Sequence, residues 1–213
     1  MDLTTPLASI APGLDSAALT VLAGTDSPMS ATQIQRVAGR GSRYGLVLVL
    51  ERLTKHGLVT AIPASRGNLY QLNRDHVLSP VVTAAAQARV ELSNRLAEAV
   101  GNLDPEPLSA AMYGSVARGD ATPDSDIDLL LIVSDDVDPD SETWGRQVDH
   151  LERCVRQWSG NRVQTVTVPQ TQLTRMTQAH DHIINEWFRD CRTIAGDDAR
   201  GLIQAARKGT AKT

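Results

Sequence analysis

The first third of the chain changes from a helical to a strand-like hydrophobic pattern. Apolar residues recur every three or four positions in three short segments, which begin near Asp15, Ser30 and Ser42, residue types that cap helices. Two segments rich in strand-forming residues follow at 58–62 and 69–72, with a polar turn between them. This pattern predicts three helices followed by a β-hairpin.

The rest of the chain alternates between strand-like and helical patterns. Apolar residues recur at helical spacing over 80–100, and short apolar strands are predicted at 108–113, 127–133 and 163–168. Amphipathic helical segments follow the last two strands, and the C-terminal part is again helical in pattern. This order predicts an α/β (α+β) fold with a mixed sheet and C-terminal helices.

The charge distribution divides the chain into two parts. Residues 30–74 contain seven basic residues and one acidic residue, whereas residues 104–142 contain eleven acidic residues and one basic residue. A basic and an acidic part indicate modules with different partners. We therefore predict two domains, 14–78 and 79–207, and we expect the second to include a connector helix over 80–100 that links the modules or forms the seam of a homodimer.

The composition is that of a chain that can bury a core of aliphatic side chains. Of 213 residues, 41% are hydrophobic and 3% are aromatic. No apolar run approaches the roughly 20 residues of a membrane-spanning helix, and the first residues lack the basic and apolar regions of a signal peptide. We expect a soluble cytoplasmic protein without a membrane partner, in which Cys154 and Cys191 are free thiols.

Three helices and a hairpin follow one another as in a winged helix-turn-helix domain. The segments 53–59 and 69–73 resemble those of small bacterial winged-helix regulators. The resemblance implies that the third helix enters the DNA major groove and that the wing contacts the backbone. The residues placed for DNA or RNA contact are Arg40, Ser42, Arg43, Tyr44, Arg66 and Asn68. A solvated basic face on a packing or dimerisation domain explains the same residues, and both interpretations stay open.

The central motif combines a glycine-rich turn with a pair of carboxylates. Asp126 and Asp128 are two residues apart near the start of a predicted strand, so their side chains point to the same face. Two converging carboxylates suit a hard divalent cation such as Mg²⁺. The Gly114-Ser115 turn upstream offers backbone N–H groups and a hydroxyl, which suit phosphate. Together these groups indicate chemistry on a nucleoside triphosphate.

The same residues resemble the signature of DNA polymerase β-type nucleotidyltransferases, including minimal and aminoglycoside-modifying members. The resemblance implies that Asp126 and Asp128 are catalytic and bind Mg²⁺ or Mn²⁺, and that an NTP is the substrate. It implies nucleotide-binding roles for five further residues, which are Gly114, Ser115, Arg118, Gly119 and Ser125. Within this set Gly119 is expected to supply a conformation barred to larger residues, and Ser125 to orient the loop or an aspartate.

One residue type expected from the resemblance is missing. A third carboxylate normally lies on the next core strand, but the strand predicted at 163–168 offers Gln164 and Thr165 and no acid. An acid from elsewhere, such as Asp181 or Glu186, fills the role, or the site binds metal weakly. His180 and His182 are candidate bases, although the pattern favours an exposed or structurally satisfied histidine at each position.

Two functions follow from these observations. The first is an enzyme that transfers a nucleoside monophosphate from an NTP to a hydroxyl of a protein, an RNA end or a small molecule. The alternative is a DNA-binding transcriptional regulator whose nucleotidyltransferase domain is degenerate and only binds nucleotide or mediates assembly. A role in a toxin–antitoxin pair overlaps both, because small members of the family work in such systems.

Overall fold

The structure is a computed structural model that describes residues 1–65 and 67–209, and in it the chain forms two compact units. The first unit comprises Asp2 and Thr4–Arg89, and the second comprises Met1, Leu3 and the chain from Val90 onward. Each unit combines a β-sheet with helices. The mixed α/β fold class predicted from the sequence is therefore confirmed.

The first unit packs helices against a small antiparallel sheet with the strand order β1-β3-β2. Its elements are a 3-10 helix (Pro6–Ser9), α1 (Leu14–Ala23), β1 (Met29–Ser30), α2 (Ala31–Ala38), α3 (Arg43–Lys55), β2 (Val59–Ala64), β3 (Gly67–Leu72) and α4 (Ser79–Ala86). The core consists mainly of aliphatic side chains from these helices and strands. Each fully buried leucine or isoleucine stabilises the fold by about 1.5–3 kcal/mol relative to an exposed one.

Side-chain caps set the starts of two helices in this unit. The Ser30 hydroxyl accepts a hydrogen bond from the backbone N–H of Gln33, and the Gln33 side chain accepts one from the backbone N–H of Ser30, which completes a capping box before α2. The Ser42 hydroxyl accepts a hydrogen bond from the Gly45 N–H at 3.0 Å and caps α3. These local interactions lie where the sequence predicts helix starts.

The segment predicted as one connector helix over 80–100 contains two helices, α4 and α5 (Ala88–Gly101), which are interrupted at Gln87. Val82 of α4 packs in the core of the first unit, whereas Leu92 of α5 packs in the core of the second. In a single straight helix these two side chains would point about 80° apart. Two helices allow each apolar face to pack in its own core.

The second unit is built on a four-stranded mixed sheet with the order β6-β5-β4-β7. Besides α5 it contains β4 (Ser109–Tyr113), α6 (Gly114–Arg118), β5 (Ile127–Val133), α7 (Glu142–Ser159), β6 (Val163–Pro169), α8 (Gln170–Gln178), α9 (His182–Asp190), β7 (Arg192–Gly196) and α10 (Ala199–Gly209). β5 pairs with β6 in parallel and with β4 antiparallel. The edge strand β7 was not predicted from the sequence, because its short polar segment becomes a strand only by pairing with β4.

Both faces of this sheet are covered by helices. Ile127, Leu129 and Leu131 of β5 pack on one side with residues of α5 and α7, whereas Leu130 and Ile132 pack on the other side with residues of α8, α9 and α10. Because successive strand residues point to opposite faces, a strand covered on both sides reads as a continuous apolar run. The run that follows Asp128 is therefore the central core strand of the unit.

Among the described helices, none is both long enough and apolar enough to cross a lipid bilayer.

Candidate active site

The two predicted catalytic carboxylates lie at the start of the central strand. Asp126 directly precedes β5 and Asp128 is its second residue, and both are half-buried. In the sheet Asp128 is paired with Tyr113 of β4 on one side and with Gln164 of β6 on the other. The alternation along the strand puts Asp128 on the same face as Leu130, which packs with the C-terminal helices.

Burial and like charge act together on the Asp128 carboxylate. Burial raises its pKa above the ordinary value of 3.8, and the negative charge of Asp126 raises it further. The positive charge of Arg118 acts in the opposite direction but is the smallest of these effects. The two carboxylates thus repel each other, and a bound cation would relieve this repulsion.

A glycine allows the backbone of the Gly114-Ser115 turn, the predicted phosphate-binding turn, to lie close to Asp128. Gly114 follows β4 directly and has φ of +68°, in the left-handed region that favours glycine. A Cβ atom built at Gly114 would overlap the Oδ2 atom of Asp128. The half-buried Ser115 comes next, so the structure brings the predicted turn and one predicted carboxylate together.

The loop between α6 and β5 is held by two further predicted residues. Gly119 has φ of +84° and its N–H donates to the carbonyl of Ser115 at 3.0 Å, which ends α6. The Ser125 hydroxyl accepts a hydrogen bond from the N–H of Thr122 at 2.8 Å. Asn161 donates from Nδ2 to the Ser125 carbonyl at 3.1 Å. Asn161 could not be predicted from the sequence, because no local pattern relates it to a loop 36 residues away.

Arg118 is held by a buried acid that was likewise not predicted from the sequence. Its Nη1 donates to Asp190 Oδ2 at 2.8 Å and its Nε donates to Asp120 Oδ2 at 3.1 Å. The Asp190 side chain is 4% exposed and also accepts two hydrogen bonds from Arg189. Hydrogen bonds from Arg189 and then Arg118 hold the pKa of Asp190 well below its usual range, although burial opposes this effect. One signal was present, since Asp190 lies three residues after Trp187 on the apolar face of α9.

Gln164 occupies the place in the sheet where the family resemblance implies an acid. Its Nε2 donates a hydrogen bond to Asp126 Oδ2 at 3.0 Å. Of the two acids considered as substitutes, Asp181 caps α9 by accepting a hydrogen bond from the N–H of Ile183 at 3.1 Å. The pKa of Tyr113 is raised, first by burial and then by the charge of Asp128. The charge of Glu186, the other acid considered, makes the smallest contribution to this rise.

The residues at this site fit a divalent cation that also binds a substrate. Within 1–65 and 67–209, no cluster of three or more His, Cys, Asp or Glu side chains could hold a metal ion. Mg²⁺ is usually bound by one or two carboxylates together with substrate phosphates and water, rather than by a protein cage. Asp126 and Asp128 supply two carboxylates that repel each other beside a glycine turn. This arrangement suits a cation bound jointly by the protein and by substrate phosphates.

The residues predicted for nucleic-acid contact have different environments in the first unit. Arg40 donates to the Ser16 hydroxyl at 2.8 Å and Ser42 caps α3, so both have structural partners. Arg43 and Asn68 are exposed, and the Tyr44 side chain at the start of α3 is 74% exposed. Arg66 lies outside the residues that the structure describes.

Comparisons with known proteins support one part of this picture. A solved structure entitled "Crystal structure of the toxin-antitoxin with AMP-PNP" is similar at 15% identity and a TM-score of 0.40, covering 56% of this chain and 83% of that chain. None of the curated proteins compared with the chain matches it. Residues 93–175 match the family model described as "Nucleotidyltransferase domain", and they include both aspartates and Gln164. The segment that holds the candidate site is thus similar to nucleotidyltransferase domains.

Proposed function

We propose that the second unit transfers a nucleoside monophosphate from an NTP to an acceptor hydroxyl, in a reaction that depends on Mg²⁺ or Mn²⁺. The observation that carries this proposal is the juxtaposition of Asp128 and Gly114, in which a carboxylate faces a backbone turn that admits no side chain. The match of residues 93–175 to the nucleotidyltransferase model supports it. This combination suits phosphoryl transfer, because catalysis of that reaction rests on positioning and on charge neutralisation.

Each group of the site has a distinct role in the proposed reaction. Asp126 and Asp128 would hold the cation, while the backbone and hydroxyl of Gly114 and Ser115 would bind the outer phosphates. Arg118, positioned by Asp190, adds a positive charge beside the phosphates. The bound cation would neutralise charge on the phosphate oxygens and so stabilise the displacement of pyrophosphate.

The test is incubation of the full chain with each γ-labelled NTP, Mg²⁺ and a candidate protein, RNA or small-molecule acceptor, with labelled pyrophosphate as the readout. We expect release from the wild type and none from the Asp126→Ala/Asp128→Ala variant. Asp124→Ala is the matched control, because Asp124 is exposed in the same loop. Equal release from the wild type and the double variant would contradict the proposal.

For the first unit we propose a winged helix-turn-helix domain that binds DNA. Its element order and its three-stranded antiparallel sheet support this proposal, and the exposure of Tyr44 favours contact over packing. Arg43→Ala and Tyr44→Ala should each weaken retention of duplex DNA by about 5- to 100-fold, the range for losing a good base contact. Lys55→Ala, at the other end of α3, is the control, and unchanged retention in both variants would contradict the proposal.

An alternative combines this DNA-binding unit with a second unit that binds nucleotide without transferring it. Gln164 favours this alternative, because a neutral amide replaces an anionic ligand beside Asp126. Calorimetry with a non-hydrolysable NTP measures binding, and together with the pyrophosphate assay it separates the two functions. Nucleotide binding without pyrophosphate release, for every NTP and acceptor offered, would favour the alternative.

A further inference from the structure

We propose that the acceptor of the transfer is the end of a single-stranded nucleic acid, and that its phosphates bind in a cleft formed by Arg153, Arg156 and Arg162. This inference rests on the proposed nucleotidyl transfer and names the acceptor class of the same site. The cleft has a volume of about 390 Å³ and also contains Asp126 and Gln164. It therefore adjoins Asp126, one of the two carboxylates, directly.

The position of Arg162 is set by the backbone beside the carboxylates. The carbonyl of Arg162 accepts a hydrogen bond from the N–H of Ile127 at 2.8 Å. Val163 is then paired with Ile127 in the parallel β5–β6 ladder. Because Asp126 immediately precedes Ile127, the Arg162 backbone is held next to that of the first carboxylate.

Two further arginines reach the cleft from α7. Arg153 and Arg156 are three residues apart, a spacing that puts both on one face of the helix. All three arginines are exposed, and within 1–65 and 67–209 none of their guanidinium groups forms an ion pair or a hydrogen bond. Their donors are therefore available to an anion.

Within the described residues, none of the acids of the cleft forms an ion pair with these arginines. Glu152 accepts a hydrogen bond from the N–H of Thr165 at 3.0 Å and so covers the outer edge of β6. Asp149 lies in the cleft but makes no ion pair within 4.0 Å in the described part of the chain. Asp126 is assigned to the cation. A strand of phosphates would meet three guanidinium groups, which bind phosphate in bidentate geometry.

The in-line geometry of phosphoryl transfer favours an acceptor on the β6 side of the site. In phosphoryl transfer the attacking and leaving oxygens lie roughly in line on opposite sides of the phosphorus. The proposed pyrophosphate site is the Gly114 turn, which follows β4, whereas the arginine cleft adjoins β6. These strands flank β5 on opposite sides. An attacking hydroxyl therefore enters from the side of the arginine cleft.

The transfer step forms one bond and breaks one bond at the α-phosphorus. The terminal hydroxyl oxygen of the strand forms a bond to the α-phosphorus, the bond from that phosphorus to the bridging oxygen breaks, and pyrophosphate leaves with the electron pair. The hydroxyl proton passes to water in the open cleft.

The binding test uses the full chain with a fluorescent single-stranded RNA of about 12 nucleotides, in EDTA and without NTP. We expect Arg156→Gln/Arg162→Gln to reduce the slope of log K against log salt by about 1.4, since each phosphate contact to a single strand contributes about 0.7. Arg175→Gln, an exposed arginine of α8, is the matched control. The comparison is repeated in an Arg43→Gln background to remove contacts by the first unit. An unchanged slope in both backgrounds would overturn the proposal.

The transfer test offers α-labelled NTP with RNA, with DNA of the same sequence, and with RNA whose 3′ end carries a phosphate. Label on RNA or DNA with a free end, and none on the blocked strand, is the expected result. Pyrophosphate release with label only on protein would overturn the acceptor assignment but leave the proposed function intact. Absence of pyrophosphate with every acceptor would refute the proposed function, and the salt slope alone would then decide whether the cleft binds nucleic acid.

Discussion

Gln164 donates a hydrogen bond to Asp126 at 3.0 Å, across the parallel pair of strands that forms one side of the candidate site. The amide thereby orients the aspartate without adding negative charge. Asp126 and Asp128 already repel each other, so a third carboxylate would increase the repulsion in the metal-free protein. With an amide in this position we expect weaker cation binding than with a third carboxylate, and a smaller electrostatic cost of folding.

The first prediction concerns Gln164→Glu. The added carboxylate should tighten Mg²⁺ binding by about tenfold, since roughly 1.4 kcal/mol is a plausible gain for one further charge near the ion. In EDTA the variant should unfold at a lower temperature than the wild type, and Mg²⁺ should reverse the difference. Mg²⁺ titration by calorimetry and thermal unfolding with and without Mg²⁺ measure both effects. Gln157→Glu, on an exposed position of α7, controls for added charge, and equal Mg²⁺ affinities in all three proteins would refute the interpretation.

The second prediction concerns Gly114→Ala. An L-residue at φ of +68° is strained by about 1–2 kcal/mol, and the new Cβ atom would also displace the Asp128 carboxylate. We expect the free energy of unfolding to fall by at least this amount and NTP binding to be lost. Gly145→Ala is the control, because Gly145 lies within α7 with no atom near its Cβ position. Alanine there should stabilise the protein by up to about 1 kcal/mol. Urea unfolding of both variants provides the measurement, and equal effects would contradict the assigned role.

The third prediction concerns Asp128→Asn and its dependence on pH. Burial and Asp126 raise the pKa of Asp128, so the folded protein holds this proton more tightly than the unfolded chain does. Stability should therefore fall as pH rises from 3.8 through the folded pKa. In EDTA at pH 7 the asparagine variant should be more stable than the wild type by about 0.5–1 kcal/mol, a value reduced for solvent screening. Below pH 3.8 the difference should disappear.

The measurement for Asp128→Asn is urea unfolding against pH, with Asp124→Asn as the exposed control. The same substitution should abolish nucleotidyl transfer, because it removes a cation ligand. A stabilised but inactive variant is the expected trade-off between stability and function. A wild type that is more stable than the variant at pH 7 in EDTA would contradict the prediction.

The fourth prediction concerns Asp190→Asn. Removing this charge leaves Arg118 and Arg189 without their shared buried partner, and we expect the Tm at pH 7 to fall by about 4–8 °C. Because the folded pKa of Asp190 is depressed, its contribution is present above the unfolded value of 3.8 and is lost as pH falls toward the folded pKa. The difference in Tm from the wild type should therefore shrink in acid.

Thermal unfolding from pH 7 to strongly acidic pH measures this difference, and Asp197→Asn serves as the control because Asp197 is exposed. The NTP dissociation constant should rise in Asp190→Asn, because Arg118 loses the carboxylate that positions it. A wild-type affinity for NTP combined with a lowered Tm would show that the Arg118–Asp190 pair is structural only.

Much of the local structure could be predicted because its causes are local. Ser42 caps α3 through an N–H three residues away, and Gly114 and Asp128 belong to one short motif. The apolar run after Asp128 indicates a strand that is buried on both faces. Elements that depend on distant partners were missed or altered, since β7 exists by pairing with β4 and the segment over 80–100 divides between two cores.

The sequence by itself determined the mixed α/β fold class and the pairing of two carboxylates with a glycine turn, because side-chain period and residue spacing are encoded along the chain. Only the tertiary structure decided which groups surround them. Asp190 reaches Arg118 over 72 positions, and Gln164 reaches Asp126 over 38. Such contacts depend on how strands and helices pack, and the hydrophobic periodicity of the sequence does not indicate them. The arginine cleft likewise arises where α7 and the start of β6 meet beside the first carboxylate.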